Sequence, residues 1–366
     1  MTAEPMEKLP PDPEAKDGKS TKQQPITIGG VEIPAGRRTT VRFPLPSQSR
    51  YAPVSLPVKV IHGRRPGPKL FLTGAIHGDE INGVEIIRRV FASSRVRHLR
   101  GTLVGIPIVN IYGFNTQSRY LPDRRDLNRS FPGSEHGSLA ARLANALGTQ
   151  ILSKCEYGID LHTGANQRVN LPHIRAQLDD PETMRLAKAF GTPVIIHANL
   201  RDGSMRQWGN DNGIRILLYE AGEALRFDEL SIRAGVRGTL RVMRALGMIQ
   251  YRRRGPAPEP TQARSSLWIR ATQSGLVRLK VGLGMRVTQG QNLGVIADTF
   301  GENEEPFISP YAGIIIGRTN SPVVNEGDAV LHVARFSDAS KVESAIETFH
   351  EENIEGLGPG DYHFDQ

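Results

Sequence analysis

The sequence predicts an α/β protein: a mixed, largely parallel sheet flanked by helices, followed by a small all-β barrel-sandwich unit. Three observations carry this. From residue 69 to residue 247, β-rich runs alternate with segments of helical apolar spacing, the pattern of a sheet covered by helices. After "RRRGPAPEPTQAR" (252–264) the texture changes to short strands and frequent glycines. That tail also repeats itself. Gly275, Val287, Gly290 and Leu293 in its first half match Gly313, Val324, Gly327 and Val330 in its second, the last three at identical spacing and the first displaced by one residue.

The elements follow in order. Residues 26–60 alternate apolar and polar positions between turn residues, which predicts short strands ahead of the main fold. "KLFLTGAI" (69–76) reads as a buried strand and "GVEIIRRVFASS" (83–94) as a helix. "TLVGIPIVN" (102–110) is a second strand, followed by a long loop through Pro132, and "SLAARLANALGTQILS" (138–153) is a helix. "YGIDLH" (157–162), "PVIIH" (193–197) and "IRILLYEA" (214–221) read as short strands. "DELSIRAGVRGTLRVMRALG" (228–247) closes the α/β region as a helix. The organisation read from these signals is a disordered polar lead (1–25), an α/β domain with N-terminal strands (26–251), a linker (252–264), a β-sandwich domain (265–340) and a C-terminal tail (341–366).

Composition excludes several classes. No run approaches the roughly 18–20 apolar residues of a membrane span, and the first residues lack the apolar centre of a secretory signal. A single cysteine, Cys155, excludes an internal disulfide framework and a Cys-rich zinc site. The net charge is +8, but the arginines are scattered and dense only at Arg252–Arg254, with no aromatic residues interleaved. That is the charge of a solvated surface that attracts anionic substrates, not of a nucleic-acid patch. The expectation is a cytoplasmic protein with no membrane and no nucleic-acid partner; a homodimer is compatible with such an enzyme.

Polar residues arrive abruptly after "KLFLTGAI", in "HGDE" (77–80). Alone, a histidine and a glutamate three apart read as an ordinary turn entering a helix. "DLHTG" (160–164) changes the reading, because it sets His162 at a second strand end, where sites of open α/β sheets collect. Two imidazoles and a carboxylate are ligands that zinc accepts while keeping a position open for water. Glu220, directly after "IRILLY", would be costly inside a core; it reads equally as a catalytic group or as a glutamate emerging at the sheet edge.

"GAIHGDE", "DLNRSFPG" (126–133), "DLHTG" and "LLYEAGE" (217–223) stand in this order over residues 50–336. Together they resemble the succinylglutamate desuccinylase/aspartoacylase family, a branch of the zinc carboxypeptidase-like fold. The resemblance implies one zinc ion per chain, held by His77, Glu80 and His162, with Glu220 as general base and acid. It implies that Asn128 and Arg129 bind a substrate carboxylate, that Asp126 orients His77, and that Arg119 polarises the scissile carbonyl, with Arg124 and Arg125 as competitors for that task. The two-halved tail resembles a biotinyl/lipoyl-type sandwich, but the segment between its halves, "ADTFGENEEPF" (297–307), has no lysine, which argues against a swinging-arm carrier.

The expected activity is zinc-dependent hydrolysis of the amide bond of an N-acyl amino acid or related small carboxylate-bearing amide. The alternatives are a metallocarboxypeptidase acting on short peptides or peptide-like conjugates, and a non-catalytic binding protein. Arg168, Arg175, Arg201 and Arg206 are unranked candidates for reading a second acid group. His136, His173 and His197 read as surface or packed histidines. Asp79 reads as a residue supporting the ligands or capping the next helix.

Overall fold

The computed structural model describes residues 2–10, 23–46, 53–250 and 260–354. Strands β1 (Thr2–Ala3) and β2 (Glu7–Lys8) pair antiparallel with β5 (Arg37–Pro44), while β3 (Ile26–Ile28) and β4 (Val31–Ile33) form a separate hairpin. The lead expected to be disordered is thus structured over residues 2–10, because the outer edge of β5 offers it unpaired backbone groups. Residues 11–22 lie outside the described residues. In β5 every second residue, Thr39, Val41 and Phe43, is buried, the period of a strand with one covered face.

The elements of the α/β region are β6 (Ser55–His62), β7 (Lys69–Gly74), α1 (Asn82–Ala92), β8 (Thr102–Ile106), α2 (Ile111–Asn115) and α3 (Leu139–Gln150), then β9 (Tyr157–His162), β10 (Arg168–Ala176), α4 (Pro181–Phe190), β11 (Val194–His197), α5 (Met205–Asp211), β12 (Arg215–Glu223) and α6 (Glu229–Ala245). The sheet runs β6-β8-β7-β9-β12-β10. Its centre, β8, β7, β9 and β12, is parallel, and β6 and β10 flank it antiparallel. Successive residues face opposite layers: Leu70 and Leu72 pack with α1, α4 and α6, whereas Phe71 packs with α3 and α5. Strands buried on both faces read as unbroken apolar runs, which is why β7 is visible in the sequence.

The sequence reading places no element between residues 165 and 192, yet β10 and α4 lie there, and β10 is a central strand. Pro172 hides it, since proline has no N–H for a ladder and argues against a central strand. Here Pro172 falls inside a register shift between Asn170 and His173, where the ladder is already interrupted.

The C-terminal strands are β13 (Thr261–Ala263), β14 (Ser265–Arg270), β15 (Gly275–Leu279), β16 (Arg286–Val287), β17 (Asn292–Ala297), β18 (Glu304–Ile308), β19 (Gly313–Thr319), β20 (Val323–Val324) and β21 (Ala329–Arg335). The internal repeat becomes a swapped pairing. β15 bonds β17 of its own half and β20 of the other, while β19 bonds β21 of its own half and β16 of the other. Gly290 and Gly327, equivalent in the repeat, both take left-handed turns at φ 82° and 83°, a conformation glycine adopts without penalty.

β19 also pairs with β10, so the tail's strands continue the main sheet. Of the expected linker, residues 251–259 lie outside the described residues, and Thr261–Ala263 forms β13 alongside β11. The expected tail contributes a helix, α7 (Ala339–Ile354). Its buried Val342, Ile346 and Phe349 recur at helical spacing, and Glu352 meets Arg241 of α6 at 2.9 Å. Residues 355–366 lie outside the described residues. Among the described residues no helix is long and apolar enough to cross a membrane.

Asp180 caps α4 by accepting from the Thr183 N–H at 2.8 Å, and it pairs with Arg215 at 2.8 Å. The Arg215 guanidinium, with the Thr183 bonds, holds its carboxyl down to about 2. Asp180→Ala is expected to cost about 1 kcal/mol at neutral pH in urea denaturation. Because the folded pKa is depressed, that contribution is present above the unfolded value and is lost as pH falls through about 2. The stability difference between the two proteins therefore closes in acid.

Candidate active site

The floor of the site is a ladder across three strands. His162 of β9 registers with Glu220 of β12, and Glu220 registers with His173 of β10. One step down the same face, Asp160, Leu218 and Arg175 form a second row, because side chains two apart on a strand share a face. The loop after β7 brings in His77 and Glu80. It runs close under α2: a Cβ on Gly78 would stand 2.0 Å from the Gly113 carbonyl carbon and 2.2 Å from the Phe114 nitrogen.

His77, Glu80 and His162 are buried and converge, each offering one ligating atom within 4.8 Å of the others. His77 Nδ1 and His162 Nδ1 each lie 2.7 Å from a different Glu80 oxygen. The Thr163 N–H donates to Glu80 Oε2 at 3.2 Å. Burial alone would raise the Glu80 carboxyl, but the His77 and His162 charges outweigh it and hold it well below the usual range. The opposite ring nitrogens face carboxylates too: His162 Nε2 lies 2.7 Å from Asp160 Oδ2, and His77 Nε2 lies 3.3 Å from Asp126 Oδ1. Thr73 donates to the other Asp160 oxygen at 2.7 Å. Two imidazoles with Nδ1 turned inward, one carboxylate, and an acidic partner behind each ring make a donor set that fits a zinc ion.

Arg119 donates to Glu80 at 3.2 Å and to Asp126 at 2.9 Å. Its sequence competitors stay away: Arg124 and Arg125 are exposed, and Arg125 pairs with Asp123 at 3.9 Å. Asp126 Oδ1 also accepts from the Asn128 N–H at 2.8 Å, shaping the "DLNR" turn. The Asn128 side-chain oxygen accepts from the Met205 N–H at 2.9 Å, which leaves its NH₂ group as the free end. Arg129 reaches the cavity from a more exposed position.

His77, Glu80, Arg119, Asn128, Arg129 and His162 line a cavity of about 260 Å³. Glu220 is half-buried, and desolvation, with the Glu80 charge added, raises its carboxyl above the ordinary value. Asn170 donates to its Oε2 at 2.9 Å. Arg168, Arg175, Arg201 and Arg206 all line the same cavity. Arg206 is 8% exposed and among the described residues bonds the Ala198 and Asn199 carbonyls; burial lowers it to about 10. The tail closes one side, with Trp268 of β14 stacked on His332 of β21 at 4.6 Å and Arg168 over the Trp268 ring at 5.2 Å.

Sequence reasoning missed Asp160, Asn170, Trp268 and His332. Asp160 had a signal, because it stands two residues before His162 on one strand and so shares its face. The other three had none, because they arrive through a register shift and through the tail. His173, read as a surface or packed histidine, lines the cavity. His136 is exposed, and His197 lies by Asp179 at 4.0 Å. Asp79 does not cap α1, whose N-cap position is Ile81 with no side-chain cap; its carboxyl is buried, and Oδ1 has no hydrogen-bond partner among the described residues.

The closeness of Gly78 to backbone atoms leaves no room for a methyl group. Gly78→Ala is expected to cost about 1–3 kcal/mol in urea denaturation and to displace the loop that carries both His77 and Glu80. An unchanged midpoint would contradict this packing.

Comparison with known proteins follows the geometry. Residues 66–246 match the succinylglutamate desuccinylase/aspartoacylase catalytic domain. A curated relative, N-alpha-acetyl-L-2,4-diaminobutyric acid deacetylase of Halomonas elongata, is 27% identical over 310 residues, covering 80% of this chain and 89% of the relative. The crystal structure of a succinylglutamate desuccinylase/aspartoacylase from Rhodobacter sphaeroides has a TM-score of 0.74 at 26% identity, covering 82% of this chain and 96% of that one. The product-bound ectoine utilization protein EutE (DoeB) of Ruegeria pomeroyi shares the fold, with a TM-score of 0.74 at 23% identity over 87% of this chain and 99% of that one. With the motif order, the sheet and the matched domain in agreement, this chain belongs to the succinylglutamate desuccinylase/aspartoacylase family.

Proposed function

We propose that this protein is a zinc-dependent deacylase that hydrolyses the amide bond of an N-acyl amino acid or a related small amide bearing a carboxylate. One observation carries the reading: the His77–Glu80–His162 donor set, the half-buried Glu220 and a cluster of guanidinium groups open onto a single cavity. The activity named for the Halomonas relative supports the acyl-amide part. The small volume, about 260 Å³, favours small substrates over peptides.

His77, Glu80 and His162 would hold the zinc, which when bound supplies a Lewis acid that polarises the carbonyl and lowers the pKa of water toward about 7. Glu220 takes the proton of the attacking water and delivers it to the leaving amine. Its raised pKa suits both halves of that exchange, since a stronger base accepts more readily and the protonated form persists to donate. Asn170 fixes one Glu220 oxygen and so sets the direction of the other. The free NH₂ of Asn128 and the fork of Arg129 hold the substrate carboxylate, which positions the amide over the floor. Arg119, anchored on Glu80 and Asp126, supports the oxygen that gains charge as water adds.

Three outcomes test this. Glu220→Gln should lose about 10²–10⁴-fold in kcat against a panel of N-acetyl and N-succinyl amino acids while keeping its zinc by metal analysis. Full activity in that protein would remove Glu220 from its role. His77→Ala should lose stoichiometric zinc, and unchanged zinc content would refute the ligand assignment. Arg129→Ala should raise KM by about tenfold or more, as expected for loss of a charge-assisted bond, with a smaller change in kcat.

A further inference from the structure

His173 occupies an unusual place on the cavity floor. It is 1% exposed, lines the cavity and registers with Glu220 on the neighbouring strand. The register shift in β10 explains how it gets there. Asn170 pairs with Gly222 and His173 with Glu220, so three residues of β10 span two of β12. Such a bulge re-aims side chains, and here it lets Asn170 and His173, an odd number of positions apart, flank the base from one face.

The state of the ring follows from its partner. His173 Nδ1 lies 2.7 Å from the Leu171 carbonyl oxygen. A carbonyl oxygen only accepts, so Nδ1 carries the hydrogen and Nε2 is a bare acceptor. Burial, with the Arg175 charge added, pushes the ring down to about 3 and keeps it neutral. Nε2 is buried and has no hydrogen-bond partner among the described residues. The cavity that His173 lines also holds the guanidinium groups of Arg168, Arg175, Arg201 and Arg206, yet among the described residues no donor bonds its Nε2. A buried acceptor left without a donor is uncommon and calls for an explanation.

An acyl-amide substrate brings the missing donor, because it carries one N–H at the bond to be broken. We propose that His173 Nε2 accepts the hydrogen bond of the scissile amide N–H, which makes His173 a substrate-positioning residue. The proposal rests on the deacylase reading above. Its consequence is directional. When water adds to the carbonyl carbon, the nitrogen becomes pyramidal and its lone pair, no longer delocalised into the carbonyl, must face Glu220 to take the proton before the C–N bond breaks. Holding the N–H on His173, beside Glu220 on the same sheet face, turns the lone pair toward the base.

Replacing the amide N–H by oxygen tests this without disturbing the protein. Zinc-loaded wild type, His173→Phe and His173→Gln are assayed on an N-acetyl amino acid and on the matching O-acetyl hydroxy acid, after zinc content and melting temperature are recorded. His173→Phe should lose about tenfold in kcat/KM on the amide, the size of one hydrogen bond, and keep its rate on the ester. His173→Gln, whose amide oxygen accepts, should recover part of the amide rate. Equal losses on amide and ester, or no loss on the amide, overturn the proposal. A wild type that cleaves neither N-acyl amino acids nor their esters defeats the deacylase reading itself, before any His173 variant is made. Should both variants unfold, ¹⁵N-histidine spectra of the Glu220→Gln protein decide: binding of the amide should shift the Nε2 resonance of His173 to lower frequency and the ester should leave it, whereas an unmoved resonance with amide bound overturns the proposal.

Discussion

The Glu80 carboxylate is 2% exposed, and both its oxygens are engaged, by His77, His162, Arg119 and the Thr163 N–H. An ionised carboxylate at that depth is tolerated only with opposing charge and full hydrogen bonding. Meeting that demand brings together the loop after β7, the end of β9 and the long loop before α3. The two imidazoles are in turn held by carboxylates, Asp160 behind His162 and Asp126 behind His77. The polar network is therefore one connected unit, and residues far apart in the chain have their places because Glu80 is buried.

The apolar architecture makes such a unit affordable. β7, β9 and β12 are covered on both faces by helices and hold their ends in register, so His162 and Glu220 meet across a parallel ladder. β10 adds the antiparallel side and, through its register shift, turns Asn170 toward Glu220. The same strand joins the C-terminal strands through β19, so the tail brings Trp268 and His332 to the cavity. The basic composition is concentrated here, as six arginines share one small cavity and give it a positive field.

Legibility varied with the physical origin of each feature. β7 and α1 were readable because burial on both faces, or along one stripe, writes an apolar pattern into a continuous stretch. "HGDE" and "DLHTG" were readable as motifs because each is local and ends a readable strand. α7 was overlooked although Val342, Ile346 and Phe349 carry its stripe, because charged residues dilute a short amphipathic pattern. β10 was hidden by Pro172, whose cost is removed by a register shift that only the neighbouring strand reveals.

The sequence by itself determined the alternation of strands and helices, the two-fold repeat of the tail and the chemical types at the motif positions, since all three are properties of neighbours along the chain. Only the tertiary structure decided that Arg119, and not Arg124 or Arg125, reaches Glu80, that four unranked arginines enter one cavity, and that His173 stands bare beside Glu220. Those facts depend on register between strands and on which loop end is buried. Register and burial are set by packing across the sheet, between residues whose separation along the chain carries no trace of it.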